Sequence, residues 1–229
     1  MQITTLAVLG FIALVVLIIW AAWQASVKFT QELKEHCESR GWRYEQVNSL
    51  AGAWRVTGVT AGIAWEMFSG PDENDSDHDW HTVFTSELPF PESARLEVMF
   101  RMAWNSVQSG LIRKLYDGPL SRLVPPNSPH DPFRQTLSLV EVHGVGSPDF
   151  AEWFAVAGDS KTAHHLITPE VCRTLMQLDK MRRPTLSIHG SKLKIKPTTH
   201  PLKIQEVKAI LDIGQIVLRQ AASGQRLAS

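Results

Sequence analysis

Residues 158–178, GDSKTAHHLITPEVCRTLMQL, hold the densest set of reactive side chains in the chain: Asp159, His164, His165, Glu170 and Cys172. Imidazole, carboxylate and thiol groups of this kind bind zinc or build nucleophile–base pairs. The spacing suits neither use. Adjacent side chains diverge in helices and strands alike, so His164 and His165 do not converge on one ion. No His-x-x-x-His or His-x-x-Glu-His pattern supplies the missing ligand. Thr168-Pro169-Glu170 has instead the order of a helix start. A hydroxyl caps the first free N–H groups, a proline takes the first helical position, and a carboxylate sits near the positive end of the dipole. Val171, Leu175 and Leu178 follow as a buried stripe. The expectation is a helix, not a catalytic site.

A second group lies in SGPDENDSDHDWH, residues 69–81. Asp72, Glu73, Asp75, Asp77 and Asp79, with His78 and His81, offer donors to a hard cation. An EF-hand loop needs glycine at its sixth position and glutamate at its twelfth. Counted from Asp75 those positions hold Trp80 and Ser86; counted from Asp72 they hold Asp77 and Val83. The Asp/Asn/Ser composition reads as a solvated connection between strands. Asp75, Asp77, Asp79 and His81 are the weak metal candidates of the chain. No catalytic residue, resident metal or cofactor is assigned. A Gly-x-Ser-x-Gly elbow, a P-loop and a dinucleotide fingerprint are all missing. Gly144-Val145-Gly146 is followed by Ser147-Pro148 and reads as a turn.

The elements that must position these residues begin with LAVLGFIALVVLIIWAAW, Leu6 to Trp23, and no charge precedes Lys28. About 20 apolar residues cross the hydrocarbon core as a helix. A cleaved signal peptide fits less well: there is no basic leader, the run is long, and Trp20 and Trp23 occupy the place of a small-residue cleavage site. The same tryptophans suit a membrane–water interface, and Lys28, Lys34, Arg40 and Arg43 beyond the span put the rest of the chain on the cytoplasmic side. Residues 1–26 are therefore expected to be a transmembrane anchor and 27–41 a juxtamembrane helix. There Val27, Thr30, Leu33 and Cys37 share a stripe that packs on the chain's own domain, and Gly41 ends the helix.

Residues 42–222 are expected to form one α+β domain with an antiparallel or mixed sheet covered by helices, followed by a frayed tail, 223–229. WRYEQV, AWRVTGVT, GIAWEMFS and HTVFTSEL alternate as strands. ARLEVMFRMAWNSVQSGLIRKLYDG reads as a strand and then a helix over about 103–117, ended by Gly118-Pro119. PLSRLVPPNSPHDPF, with five prolines, is an extended connection. TLSLVEVHG and EWFAVAG read as strands, and PTLSIHGSKLKIKP as a hairpin turning at His189-Gly190-Ser191. LKIQEVKAILDIGQIVLRQAA is an amphipathic helix with Ile204, Val207, Leu211, Gly214 and Leu218 on one face. One sheet is expected to run through both halves.

The 23 basic and 23 acidic residues cancel, and no basic stripe with interleaved aromatics occurs, so nucleic acid is not an expected partner. Cys37 and Cys172 are isolated and fit reduced thiols.

Phe150, Phe154, Val156 and Asp159, then LITPEVCRTLMQL, then Leu186, Ile188, Gly190, Leu193 and Ile195 form a recurring pattern. It pairs an aromatic-x-x-x-aromatic strand with a Leu-apolar-Thr-Pro helix start and a hairpin. Over residues 147–197 the chain resembles uncharacterised bacterial single-pass proteins carrying a domain of unknown function. His164 and His165 are outside that pattern. The resemblance implies a membrane-tethered α+β domain and brings no catalytic residues. The expected function is a non-enzymatic binding or adaptor module whose partners are the lipid bilayer and a protein at the membrane. One alternative is a membrane-bound, metal-dependent hydrolase using the acidic loop and histidines. The other is a structural subunit packed through its transmembrane helix.

Overall fold

The computed structural model describes residues 2–48, 52–71, 80–108, 138–178, 183–197 and 202–225. A long helix, α1 (Gln2–Ser39), leads into five strands: β1 (Arg43–Asn48), β2 (Ala53–Thr60), β3 (Ile63–Pro71), β4 (Trp80–Glu87) and β5 (Arg95–Phe100). Helix α2 (Arg101–Gln108), helix α3 (Pro148–Trp153), strand β6 (Phe154–Gly158), and helices α4 (Ser160–Leu166) and α5 (Pro169–Gln177) follow. Strands β7 (Thr185–His189) and β8 (Lys192–Lys196) and helix α6 (Ile204–Gln225) complete the chain.

The eight strands form one sheet in the order β1-β2-β3-β4-β8-β7-β5-β6, and every pairing is antiparallel. The pairing of β4 with β8, Phe84 opposite Ile195, joins the two halves of the chain. The fold is α+β, with an apolar N-terminal helix ahead of an antiparallel sheet and its helices.

Strand alternation decides which face is covered. Val56, Met67, Phe84, Ile195, Leu186 and Val98 are fully buried beneath the helices. Trp65 stands at the centre of this layer, edge-on to Trp42 at 5.0 Å and stacked on Phe84 at 5.3 Å. Its indole N–H donates to Thr60 Oγ1 at 3.1 Å, and that hydroxyl bonds in turn to Gln215 Oε1 of α6, so the buried polar atom of the tryptophan is satisfied. Gly214 lets α6 close on the sheet: a Cβ there would press into the Phe84 ring.

Several expectations need correction. Helix α6 is not one-sided: besides Val207, Leu211 and Leu218, the residues Ile210, Ile213, Ile216 and Val217 are buried. It lies between the sheet and the helices α1, α4 and α5, so its buried face is wider than one stripe, while Gln205 and Arg219 stay exposed. The helix runs to Gln225. The described part of TLSLVEVHG, residues 138–144, is not a strand. Within its described part a single bridge joins Glu141 to Ala157, flanked by hydrogen bonds between Val142 and Val156 and between Gly158 and Val140. The segment seals the outer edge of β6, a common way of protecting a sheet edge.

EWFAVAG divides into helix and strand, because Ser147 caps Phe150 N at 3.2 Å with Pro148 at the first position. Residues 160–166, for which no element was expected, form α4. Helix α2 is described only to Gln108; the expected continuation to 117 and the proline-rich connection lie outside the described residues.

Candidate functional site

Two features stand out among the described residues: the junction between α1 and the domain, and the face of the sheet that lies away from α6.

Helix α1 changes character partway along its length. Its apolar half stands clear of the domain: Phe11, Leu14, Leu17, Ile18, Trp20 and Trp23 are all more than half exposed. Ala13–Ser39 is long and apolar enough to cross a membrane, and none of its apolar window is buried. From Phe29 onward the same helix belongs to the core. Leu33 and Cys37 are fully buried, and Phe29 packs on Trp54 with ring centroids 6.3 Å apart. The His36 ring meets Trp42 edge-on at 5.6 Å, Trp42 N donates to Cys37 O at 2.9 Å, and Arg40 reaches Asp212 of α6 at 3.6 Å. No break or linker separates the two halves, because helix runs continuously over residues 2–39.

On the opposite side from α6, no described helix covers the sheet over β1–β4 and β8, and this is called its bare face. Thr85 of β4 pairs with Lys194, and Lys192, Lys194 and Lys196 point outward together from β8, all exposed. Beside them Arg55 meets Glu66 at 3.1 Å and lies over Phe68, whose other neighbour is the His81 ring at 5.4 Å. A shallow concavity of about 820 Å³ runs across this face from Arg43 to Glu66, Glu87, Lys192 and Lys194.

Towards β5 and β6 the same face is closed by a clasp. Arg101 donates to Glu141 Oε1 at 2.5 Å and to the carbonyls of Ala151 and Phe154, both at 3.0 Å, while Trp104 Nε1 donates to Glu141 Oε2 at 3.0 Å. Burial pulls the Glu141 carboxyl up, but the hydrogen bonds from Arg101 and Trp104 and the charges of Arg101 and His143 outweigh it and hold it below its ordinary value.

Between the bare and closed parts, His189 Nε2 lies 2.6 Å from Glu97 Oε1, and Ser187 precedes it on the same face of β7. A serine, a histidine and a carboxylate on one face invite comparison with a hydrolytic triad. The connectivity is wrong for one. The other ring nitrogen, Nδ1, is buried without a hydrogen-bond partner, so it neither holds the Ser187 hydroxyl nor opens to a substrate. Glu97 and His189 were missed in the sequence because their strands are far apart along the chain.

The reactive residues of the 158–178 stretch do not come together as a site. Asp159 caps α4, accepting from Thr162 N at 2.8 Å and from its hydroxyl; these two bonds hold its carboxyl below the usual range. Thr168 caps α5 through Val171 N, with Pro169 and Glu170 in the first turn as expected. His164 is exposed, whereas His165 Nε2 meets the Gln220 carbonyl of α6 at 2.8 Å and ties two helices together. Cys172 is buried, and burial pushes its thiol up to about 11, away from nucleophilic use. Both cysteines are free.

Of the acidic loop, Asp75, Asp77 and Asp79 lie outside the described residues, and His81 stands on the bare face of β4. His165 is on the helix-covered face, so His81 and His165 share no cleft. Among the described residues no group of three or more His, Cys, Asp or Glu side chains is arranged to hold a metal ion.

No protein-family model matches the chain, and no curated protein matches it. Among solved structures it is similar to the mycobacterial trehalose monomycolate transport factor A, TtfA, at 12% identity and a TM-score of 0.40. That alignment covers 85% of this chain and 93% of the other. The likeness is too distant to bear on function.

Proposed function

We propose that the chain is a membrane-tethered, non-enzymatic binding module, its domain on the cytoplasmic side and its bare sheet face turned to a protein partner in the same membrane. The observation that carries this reading is the continuity of α1. One helix provides both an apolar span and, through Leu33 and Cys37, part of the domain core. Such a connection fixes the domain to the bilayer without a flexible linker, and tethering raises its effective concentration for membrane partners. The resemblance over residues 147–197 supports the same placement among bacterial single-pass proteins. The lysine row on β8 gives the face a local positive charge, which suits an acidic partner surface.

The test is site-specific photocrosslinking in intact cells, with the reactive group at Thr85 or Lys194 on the bare face and at Arg173 on the exposed side of α5. A discrete membrane-protein adduct from the two face positions, lost when Lys192 and Lys196 are changed to Glu, supports the reading. Adducts that form equally from Arg173, or that survive charge reversal, contradict it.

A further inference from the structure

The contacts between α1 and the first hairpin fix how close the sheet comes to the apolar span. Trp42 lies beside His36 and Cys37, the Tyr44 hydroxyl lies beside Thr30, and Trp54, opposite Gln46, packs on Phe29. Strand β1 therefore descends α1 toward its apolar half. Gln46 lies two residues beyond Tyr44, about 7 Å at roughly 3.3 Å per residue, or about four residues of α1 at roughly 1.5 Å each. Val47 follows it at a register shift in β1, on the side of the hairpin nearer the end of the apolar run.

Strands β3 and β4 end on the same side. Trp54 pairs with Ser69 and Ser69 with Thr82, and two residues further out Pro71 pairs with Trp80. Trp80 Nε1 donates to Ser69 Oγ at 3.1 Å, yet 39% of the residue is exposed, as is 43% of Val47. A tryptophan with its polar end satisfied and its ring uncovered suits the membrane–water interface.

We propose that this end of the sheet is a lipid-contacting rim, in which Val47 and Trp80 enter the interfacial layer of lipid around α1, because β1 packs along α1 and Trp80 leaves its ring uncovered at the same end of the sheet. The rim adds a second attachment that sets the tilt of the domain on the membrane. The inference rests on α1 being the membrane anchor.

The test uses the full chain in phosphatidylcholine nanodiscs, with a nitroxide on one engineered cysteine at a time: V47C at the rim, V59C at the far end of β2, or V16C in the apolar half of α1. Cys37 and Cys172 are buried and leave the label to the introduced thiol. Collision with oxygen and with a water-soluble nickel chelate reports depth. The expected result is an oxygen-rich environment at 16, a clear loss of chelate accessibility at 47, and a water-like environment at 59. If 47 is as accessible to the chelate as 59 while 16 remains oxygen-rich, the anchor stands and the rim is overturned. A chelate-accessible label at 16 removes the anchor, and the rim with it.

Discussion

Leu33→Ala should destabilise the domain although residue 33 lies on the same helix as the apolar span. Leu33 is fully buried against the sheet and α6, and the substitution removes three carbons. At about 0.8 kcal/mol per buried methylene the transfer loss is about 2.4 kcal/mol. The unfilled cavity raises the total to roughly 3–4 kcal/mol, within the range of core Leu→Ala changes. For a chain of this size that corresponds to a fall in thermal midpoint of about 6–16 °C. Tryptophan fluorescence of the detergent-solubilised full chain in urea reads this directly, since Trp42, Trp54 and Trp65 report on the same core. The midpoint should fall while the slope stays constant. Leu17→Ala, 61% exposed on the apolar half of α1, should leave the domain transition unchanged. Equal effects from the two substitutions, or a loss under about 0.5 kcal/mol at Leu33, a typical surface change, would refute the claim that α1 is part of the core.

Three further outcomes are expected. Gly214→Ala places a methyl against the Phe84 ring and should cost about 1–3 kcal/mol, the usual range for overpacking, measured as a lowered urea midpoint. Cys172 should resist thiol reagents near neutral pH until the chain is denatured, because burial keeps its thiol protonated up to about 11; rapid labelling of the native protein would contradict its placement. Acid should weaken the Arg101–Glu141 clasp. The folded carboxyl lies below its ordinary value of 4.5, so its stabilisation is complete above that value and is lost as pH falls through the folded one. Glu141→Gln should accordingly flatten the acid limb of a plot of thermal midpoint against pH.

The elements legible in the sequence were those whose signals are local. The apolar run of α1, the alternation in β2, β3 and β4, the Thr168-Pro169-Glu170 helix start and the β7–β8 hairpin each announce themselves within a short stretch of chain. What stayed hidden depends on partners distant in the chain. Residues 138–142 alternate like a strand, yet make a single bridge because Glu141 turns to Arg101 and Trp104. Helix α6 looked one-sided because nothing in its own residues shows that helices lie behind it. The cap that Asp159 makes to α4 was missed for a different reason: its partner Thr162 is only three residues on, but the carboxylate was read as a reactive group and not as a helix start. Of the candidate chemistry, the histidine pair lacks ligand spacing in the sequence, and the structure places His164 in solvent and His165 against the Gln220 carbonyl. The Glu97–His189 contact joins residues 92 positions apart and leaves no sequence pattern.

The central claim is that α1 is retained as both anchor and core. The direct measurement is the intact mass of the protein recovered from membranes after an alkaline wash. The predicted species stays with the membrane and includes the apolar residues before Lys28, residues 1–229 together contributing 25.6 kDa. A species released by the wash, or one lacking the residues up to about 26, would show a cleaved signal in place of an anchor and contradict the claim.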